Sequence, residues 1–292
     1  MKRRVKLAFT LTALGSAALL YGKTAEPIIY QGASEQAAIE KVTGIDQTRV
    51  EKNGRFLLTA KPGERLHWVS SAKHMDIECK RIEGKAVKAA SGITLDNAVL
   101  TGGVTAVITR SSAAGSTQTT VTGDSAEFKG DTNHIHVLGG VHVNSIGPGS
   151  DRSTVLTGST ADLTLSKTGS SDDPLQLAVV EGPVNFEMHG MRTNSDEGQA
   201  PTRVPFTVKG TSDHMVYSAL AHTITFTGDV HIKGDDPSFI GDQRVAKEVI
   251  NLAKDNSIES VDSEGGPGET IINVIDIPKG VKKPAKGGGG KH

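Results

Sequence analysis

From Thr223 to Ile232 the chain alternates apolar and polar residues with a period of two. Ile224, Phe226, Gly228, Val230 and Ile232 fall on one side, and Thr223, Thr225, Thr227, Asp229 and His231 on the other. Successive side chains of a strand point to opposite faces, so this alternation predicts a half-buried β-strand and argues against a helix, whose period is 3.6. Gly228-Asp229 interrupts the run from within. It predicts a kink or bulge, or a tight turn between two short strands.

The same pattern recurs along the chain. Full copies occupy 121–145, 156–188 and 210–233, with a partial copy at 92–108 and a degenerate one after Ile240. Each copy opens on a glycine, runs through a strand and a turn, and continues as an alternating strand broken just before a valine. The breaks read Gly-Gly-Val at 102–104 and 139–141, Gly-Pro-Val at 182–184 and Gly-Asp-Val at 228–230. The polar stretch 190–203 is an inserted loop by composition. A unit of two or three strands buries its apolar face only by stacking on its neighbours. The expected fold is therefore all-β, a stacked antiparallel β-sandwich or jelly roll with a continuous apolar interior. The residues sharing the apolar parity of successive copies are Ile135, Val137, Val141, Val143, Leu177, Val179, Val184, Phe186, Ile224, Phe226, Val230 and Ile232.

Composition agrees with many short strands and Gly-rich turns: 34 glycines, 4% aromatics and one tryptophan. The β-repeat region is expected over 53–278. Residues 23–52 read as a linker with a short helix over Ser34–Val42. The stretch 242–254 fits either a helix or an irregular strand, and the Gly- and Lys-rich tail 279–292 is expected to be disordered.

The net charge of −1 carries no nucleic-acid footprint. Basic residues Lys2, Arg3, Arg4 and Lys6 precede an uncharged apolar run from Leu7 to Gly22. That arrangement predicts a membrane anchor or an export signal over residues 1–22, with the remainder outside the cytoplasm. The run is shorter than the ~20 residues of a comfortable span, and no small-x-small cleavage site follows it. Cys79 is the single cysteine, which excludes an intramolecular disulfide and reads as an inert strand residue.

The stretches TGDSAEF…HIHVLGGVHV, TGSTADLTL…VVEGPVNF and KGTSDHMVY…TITFTGDVHI resemble the OstA-like β-jelly-roll domain of the lipopolysaccharide-transport proteins, the periplasmic LptA and LptC type. The resemblance covers roughly Gly92 to Lys233, and an anchor ahead of such repeats is most similar to the LptC arrangement. The length of the chain and the insertion at 190–203 depart from that pattern. The resemblance implies a half-open jelly roll whose interior shields acyl chains. It also implies edge-strand pairing with other bridge proteins, an inner-membrane ABC transporter as partner, a periplasmic location and no catalysis. The twelve residues above would then line a lipid-binding channel for lipopolysaccharide or a related amphiphile. The competing reading is a structural or adhesive β-repeat protein of the envelope with a dry core.

Other chemistry is weakly supported. His134, His136 and His142 share one strand face at a spacing known for zinc ligands. They alternate with Ile135, Val137, Val141 and Val143, so they are expected on a polar outer face, with no metal. Asp172-Asp173 and Asp235-Asp236 each precede proline and read as turn chemistry rather than a general acid and base. No Gly-x-Gly-x-x-Gly, Gly-Lys-Ser/Thr or Gly-x-Ser-x-Gly pattern points to a nucleotide site or a hydrolase. No cofactor and no enzymatic activity are expected.

Overall fold

In a computed structural model of the chain, the residues described are 28–30, 40–70, 74–89, 92–112, 115–148, 152–166, 174–194, 202–235, 242–253, 258–265 and 273–274. The elements among them are seventeen strands, and every pairing is antiparallel. The first seven are short: β1 (Ile28–Tyr30), β2 (Glu40–Thr43), β3 (Ile45–Val50), β4 (Arg55–Ala60), β5 (Leu66–Ser70), β6 (Met75–Cys79) and β7 (Arg81–Ala89). Longer strands follow: β8 (Gly92–Ser112), β9 (Gly115–Lys129), β10 (His134–Ile146), β11 (Ser153–Leu165), β12 (Leu175–Asn194), β13 (Thr202–Ser218), β14 (Thr223–Gly234) and β15 (Asp242–Leu252). β16 (Ile258–Glu264) and β17 (Asn273–Val274) are the last of the described strands.

From β8 to β17 each strand pairs with the next in a simple meander. The register of nearly every pair breaks at one place. The breaks lie between Thr101 and Val104 in β8, Leu138 and Val141 in β10, Thr157 and Thr160 in β11, Glu181 and Val184 in β12, and Thr227 and Val230 in β14. Aligned across the strands, they form a crease. At the crease Gly139 has φ +81°, a conformation costly for residues with a Cβ, and a Cβ there would overlap the Asp124 carboxylate of β9. Gly228 of β14 repeats the device against Asp213 of β13. The glycine before each valine is therefore the element that bends the sheet.

The crease divides the sheet into two. Sheet I holds 92–101, 125–129, 134–138, 160–165, 175–181, 214–218, 223–227 and 247–252. Sheet II holds 104–112, 115–122, 141–146, 153–157, 184–194, 202–211, 230–234 and 242–245. β8 forks across the crease: its first part pairs with β7, which continues to β4 and β3, and its second pairs with β6, which continues to β5, β2 and β1.

The two sheets close on each other. Trp68 in β5 is in register with Ile77, then Ala106, then Val121. Phe128 lies seven residues along β9 from Val121, roughly 23 Å in a flat sheet. Yet the Trp68 and Phe128 rings meet edge to face at 5.6 Å between centroids. Between the sheets lies one apolar core containing Leu100, Ala106, Val121, Phe128, Ile135, Val137, Val141, Val180, Val184, Val230 and Ile232.

The expected all-β, half-open jelly roll is thus the observed architecture. Two local expectations are corrected. Residues 40–50, read as linker, form strands β2 and β3, and Glu40–Val42 are strand rather than helix; residues 34–39 lie outside the described residues. Pairing with β5 and β4 supplies the hydrogen bonds that local helix propensity does not override. The open question at 242–254 resolves as strand β15. The segment 1–22, the tail 279–292 and Asp172-Asp173 lie outside the described residues, as does Asp236. Among the described residues no helix is long and apolar enough to cross a membrane.

Candidate functional site

The apolar core does not fill the space between the sheets. Away from the crease, over the later strands, the sheets part to leave a cleft with about 190 Å³ of room for the centre of a water-sized sphere. One water needs roughly 10–15 Å³ by the same measure, so the space exceeds a packing defect. Its sheet I wall is apolar: Leu175, Ala178, Met215, Tyr217, Ile224, Phe226, Leu252 and Ile258, with Pro174 at the margin. Its sheet II wall carries Ile108, Val143, Leu156, Met188, Met191 and Phe206 together with polar residues. Three methionines in the lining, Met188 and Met191 on sheet II and Met215 on sheet I, suit an adaptable surface, because the thioether chain is flexible and polarisable.

The polar residues of sheet II are graded. Nearest the crease the inward positions are apolar, with Val121, Val143 and Leu156 buried. One step outward lie Thr119, Ser145 and Thr154, which are in register across β9, β10 and β11; the Thr119 and Ser145 hydroxyls are 3.0 Å apart. At the outermost row stand Arg110, opposite Thr117, and Arg152, whose carbonyl accepts from the Gly147 amide at 2.8 Å. Every one of these side chains lines the cleft, except that of Val121. Among the described residues, the ionisable groups in the lining are Arg110, Arg152, His189 and Tyr217.

The twelve residues expected to line a channel separate into three groups. Ile135, Val137, Val141, Val184, Val230 and Ile232 are 0–1% exposed and form packed core along the crease. Val143, Ile224 and Phe226 line the cleft, and Phe186 is buried against Phe226. Leu177 and Val179 are corrections to the expected inward parity. Leu177 is 37% exposed and Val179 half-buried, while Ala178 and Val180 between them are buried, so the inward parity of β12 is the even one. Arg110 and Arg152 escaped the sequence reading. Continuing the alternation of Val104, Ala106 and Ile108 by one more step would have placed Arg110 inward.

His134, His136 and His142 lie on the outer face, as expected. Asp162 Oδ1 of β11 is 2.9 Å from His134 Nε2 and 2.8 Å from His136 Nδ1. His231 Nε2 lies 2.7 Å from Asp242 Oδ1, and His214 meets Glu181. These are cross-strand pairs on the solvated face. No group of metal-capable side chains converges on an ion site among the described residues. Cys79 is fully buried in β6, and burial pushes its thiol up to about 11, which keeps it from the reactive thiolate form.

Among the described residues one carboxyl group is buried. Glu248 of β15 is 0% exposed and in register with Phe226 on one side and Ser263 on the other. The Ser263 hydroxyl donates to its Oε2 at 2.5 Å, and Oε1 has no partner. Burial pushes its carboxyl up to about 7, the Ser263 bond opposes that rise, and nearby Asp262 adds to it.

No family model matches the chain, and no curated protein matches it. Among solved structures, the chain is similar to LptH, the LptA-homologous periplasmic component of the conserved lipopolysaccharide transport device from Pseudomonas aeruginosa. The match has 19% identity and a TM-score of 0.34, over 55% of this chain and 95% of that one.

Proposed function

We propose that this protein is an extracytoplasmic lipid-binding protein that holds the acyl portion of an amphiphile in the cleft between its two sheets. The observation that carries the reading is the cleft itself: a space walled by Leu175, Met215, Ile224, Phe226, Leu252 and Phe206 that the protein's own side chains leave open. Apolar surface that faces open space in the cleft gains roughly 25 cal/mol per Å² when an acyl chain covers it. A scaffold with a dry core would use the packing seen at the crease and has no use for this space.

The sequence resemblance to the OstA-like proteins makes lipopolysaccharide the amphiphile of choice and an export bridge the setting. In that setting the chain works in the periplasm, tethered to the inner membrane through residues 7–22. Transfer would be driven by an ABC transporter, since the cleft brings no phosphate-binding loop. Neighbouring bridge proteins would dock by adding strands to the ends of the sheet. The terminal strands are β3 and β1 at one end and β16 with the two-residue β17 at the other. β4 and β5 are not terminal, since β3 lies beyond β4, and β2 and β1 lie beyond β5. Native mass spectrometry of protein purified from envelopes without detergent tests the reading. A co-purifying amphiphile is expected, released by solvent extraction; a bare polypeptide mass would favour the dry scaffold.

A further inference from the structure

Two rings mark the inner end of the cleft. On sheet I, Met215 and Phe226 are in register across β13 and β14, and both face the open space. On sheet II, Val143, Leu156 and Phe186 are in register across β10, β11 and β12, and the first two face the open space. Phe186 reaches from this row to the other sheet, where its ring stacks on Phe226 at 4.0 Å between centroids. On the crease side of the stack, Val141, Val184 and Val230 are 0–1% exposed, and none of them lines the cleft. The open space therefore stops at the stacked rings, with close-packed core behind them.

The lining also gives the space a direction. Away from the crease, the next inward row of sheet II holds the hydroxyls of Thr119, Ser145 and Thr154. An amphiphile gains most with its chain in the apolar inner rows, and loses least with its polar end beside the outer ones. Its chain end then points at Phe186 and Phe226. Close-packed core yields little to an added methylene, so those rings act as a stop.

We infer that the Phe186–Phe226 stack sets the longest acyl chain the cleft takes up whole, with Phe186 as the length-determining residue. The inference rests on the lipid-binding reading above and adds a chain-length preference to it.

A homologous series tests it: octyl, decyl, dodecyl and tetradecyl maltoside, each titrated below its micelle threshold by calorimetry on the full chain. Affinity for wild type should rise about fourfold for each methylene that enters the cleft, the scale of burying one CH₂. It should then level off, because further methylenes find no apolar surface to cover. Phe186→Ala should move the levelling point to a longer member of the series. Phe186→Leu keeps more of the core packing and should move it the same way by less, which serves if the alanine variant does not fold. Ala178 lines the cleft opposite Tyr217, one row outward from Met215, so Ala178→Leu should move the point to a shorter member. Cooperative unfolding in denaturant shows which variants are folded. An unchanged levelling point in folded Phe186 variants, or wild-type affinity that climbs through tetradecyl maltoside, would overturn the length assignment while leaving the lipid reading standing. Shifts of the same sign in Phe186→Leu and Ala178→Leu would overturn it too, as general loosening of the sheets. Failure of every maltoside to bind wild type would overturn both.

Discussion

The rings of Phe186 and Phe226 stack with centroids 4.0 Å apart and planes inclined by 21°. In register, Phe186 of β12 faces Gly210 of β13, which faces Ile232 of β14. Phe226 lies six residues along β14 from Ile232, roughly 20 Å away in a flat sheet. The stack exists because the sheet folds at the crease and brings sheet II over sheet I. Gly210 leaves room for it, since a Cβ there would press on the Phe186 ring at 2.5 Å. Phe226 also lines the cleft, so this stack is where packed core ends and open space begins.

Removing either ring should be costly. Phe186→Ala and Phe226→Ala are each expected to destabilise by about 3–5 kcal/mol in denaturant unfolding. Beyond that, a double-mutant cycle should return a coupling of about 0.5–1.5 kcal/mol for the aromatic pair. A coupling near zero would mean that the sheets do not close at this point.

The crease can be tested at adjacent glycines. Gly139 and Gly140 both have positive φ, at +81° and +59°, but a Cβ at Gly140 meets nothing within 4 Å. Gly140→Ala should therefore cost only the backbone penalty, roughly 1–2 kcal/mol. Gly139→Ala adds the overlap with Asp124 and should cost more. Asp124→Gly should be less damaging beside Gly139→Ala than alone. Equal costs at the two glycines would contradict the crease geometry.

How far the fold could be read from the sequence follows from local contrast between faces. β10 and β14 were legible because His134–Val137 and Thr223–Phe226 alternate cleanly. β12 was not, because Leu175, Leu177, Val179 and Val180 are apolar on both parities, and the inward set includes the small Ala178. β15 was obscured by Glu248, a carboxylate at an inward position that an alternation rule assigns to solvent. The division of the interior into dry core and open cleft depends on the distance between two sheets. No single strand carries that information, so Ile135 and Ile224 look alike in the sequence though only Ile224 borders the cleft.

Glu248 predicts a pH dependence with a defined sign. Its folded-state pKa of about 7 lies above the ordinary carboxylate value of 4.5. Between those values the folded state holds a proton that the unfolded state has released. This group's contribution is therefore fully present below about pH 4.5 and is lost as pH rises to about 7. Glu248→Gln keeps the shape without the charge. Compared with the variant, wild type should lose roughly 1–3 kcal/mol between pH 4.5 and pH 8, read from denaturant midpoints at each pH. Taking the difference cancels the titration of the ten histidines, which both proteins share. A constant difference across that range would show that the carboxyl is not held neutral inside the core.

The central claim is that the cleft takes up an acyl chain, and dye binding tests it most directly. Titration with 1-N-phenylnaphthylamine, which fluoresces in apolar surroundings, compares wild type with Ile224→Asp and Thr225→Asp. Ile224 lines the cleft and its neighbour Thr225 points to the outer face, so both variants carry the same charge at adjacent positions. Wild type and Thr225→Asp should bind the dye alike. Ile224→Asp should bind at least about tenfold more weakly while still unfolding cooperatively, because a carboxylate at the mouth reaches water but disrupts the apolar wall. Wild type that takes up no dye, or Ile224→Asp that binds it as wild type does, would contradict the account.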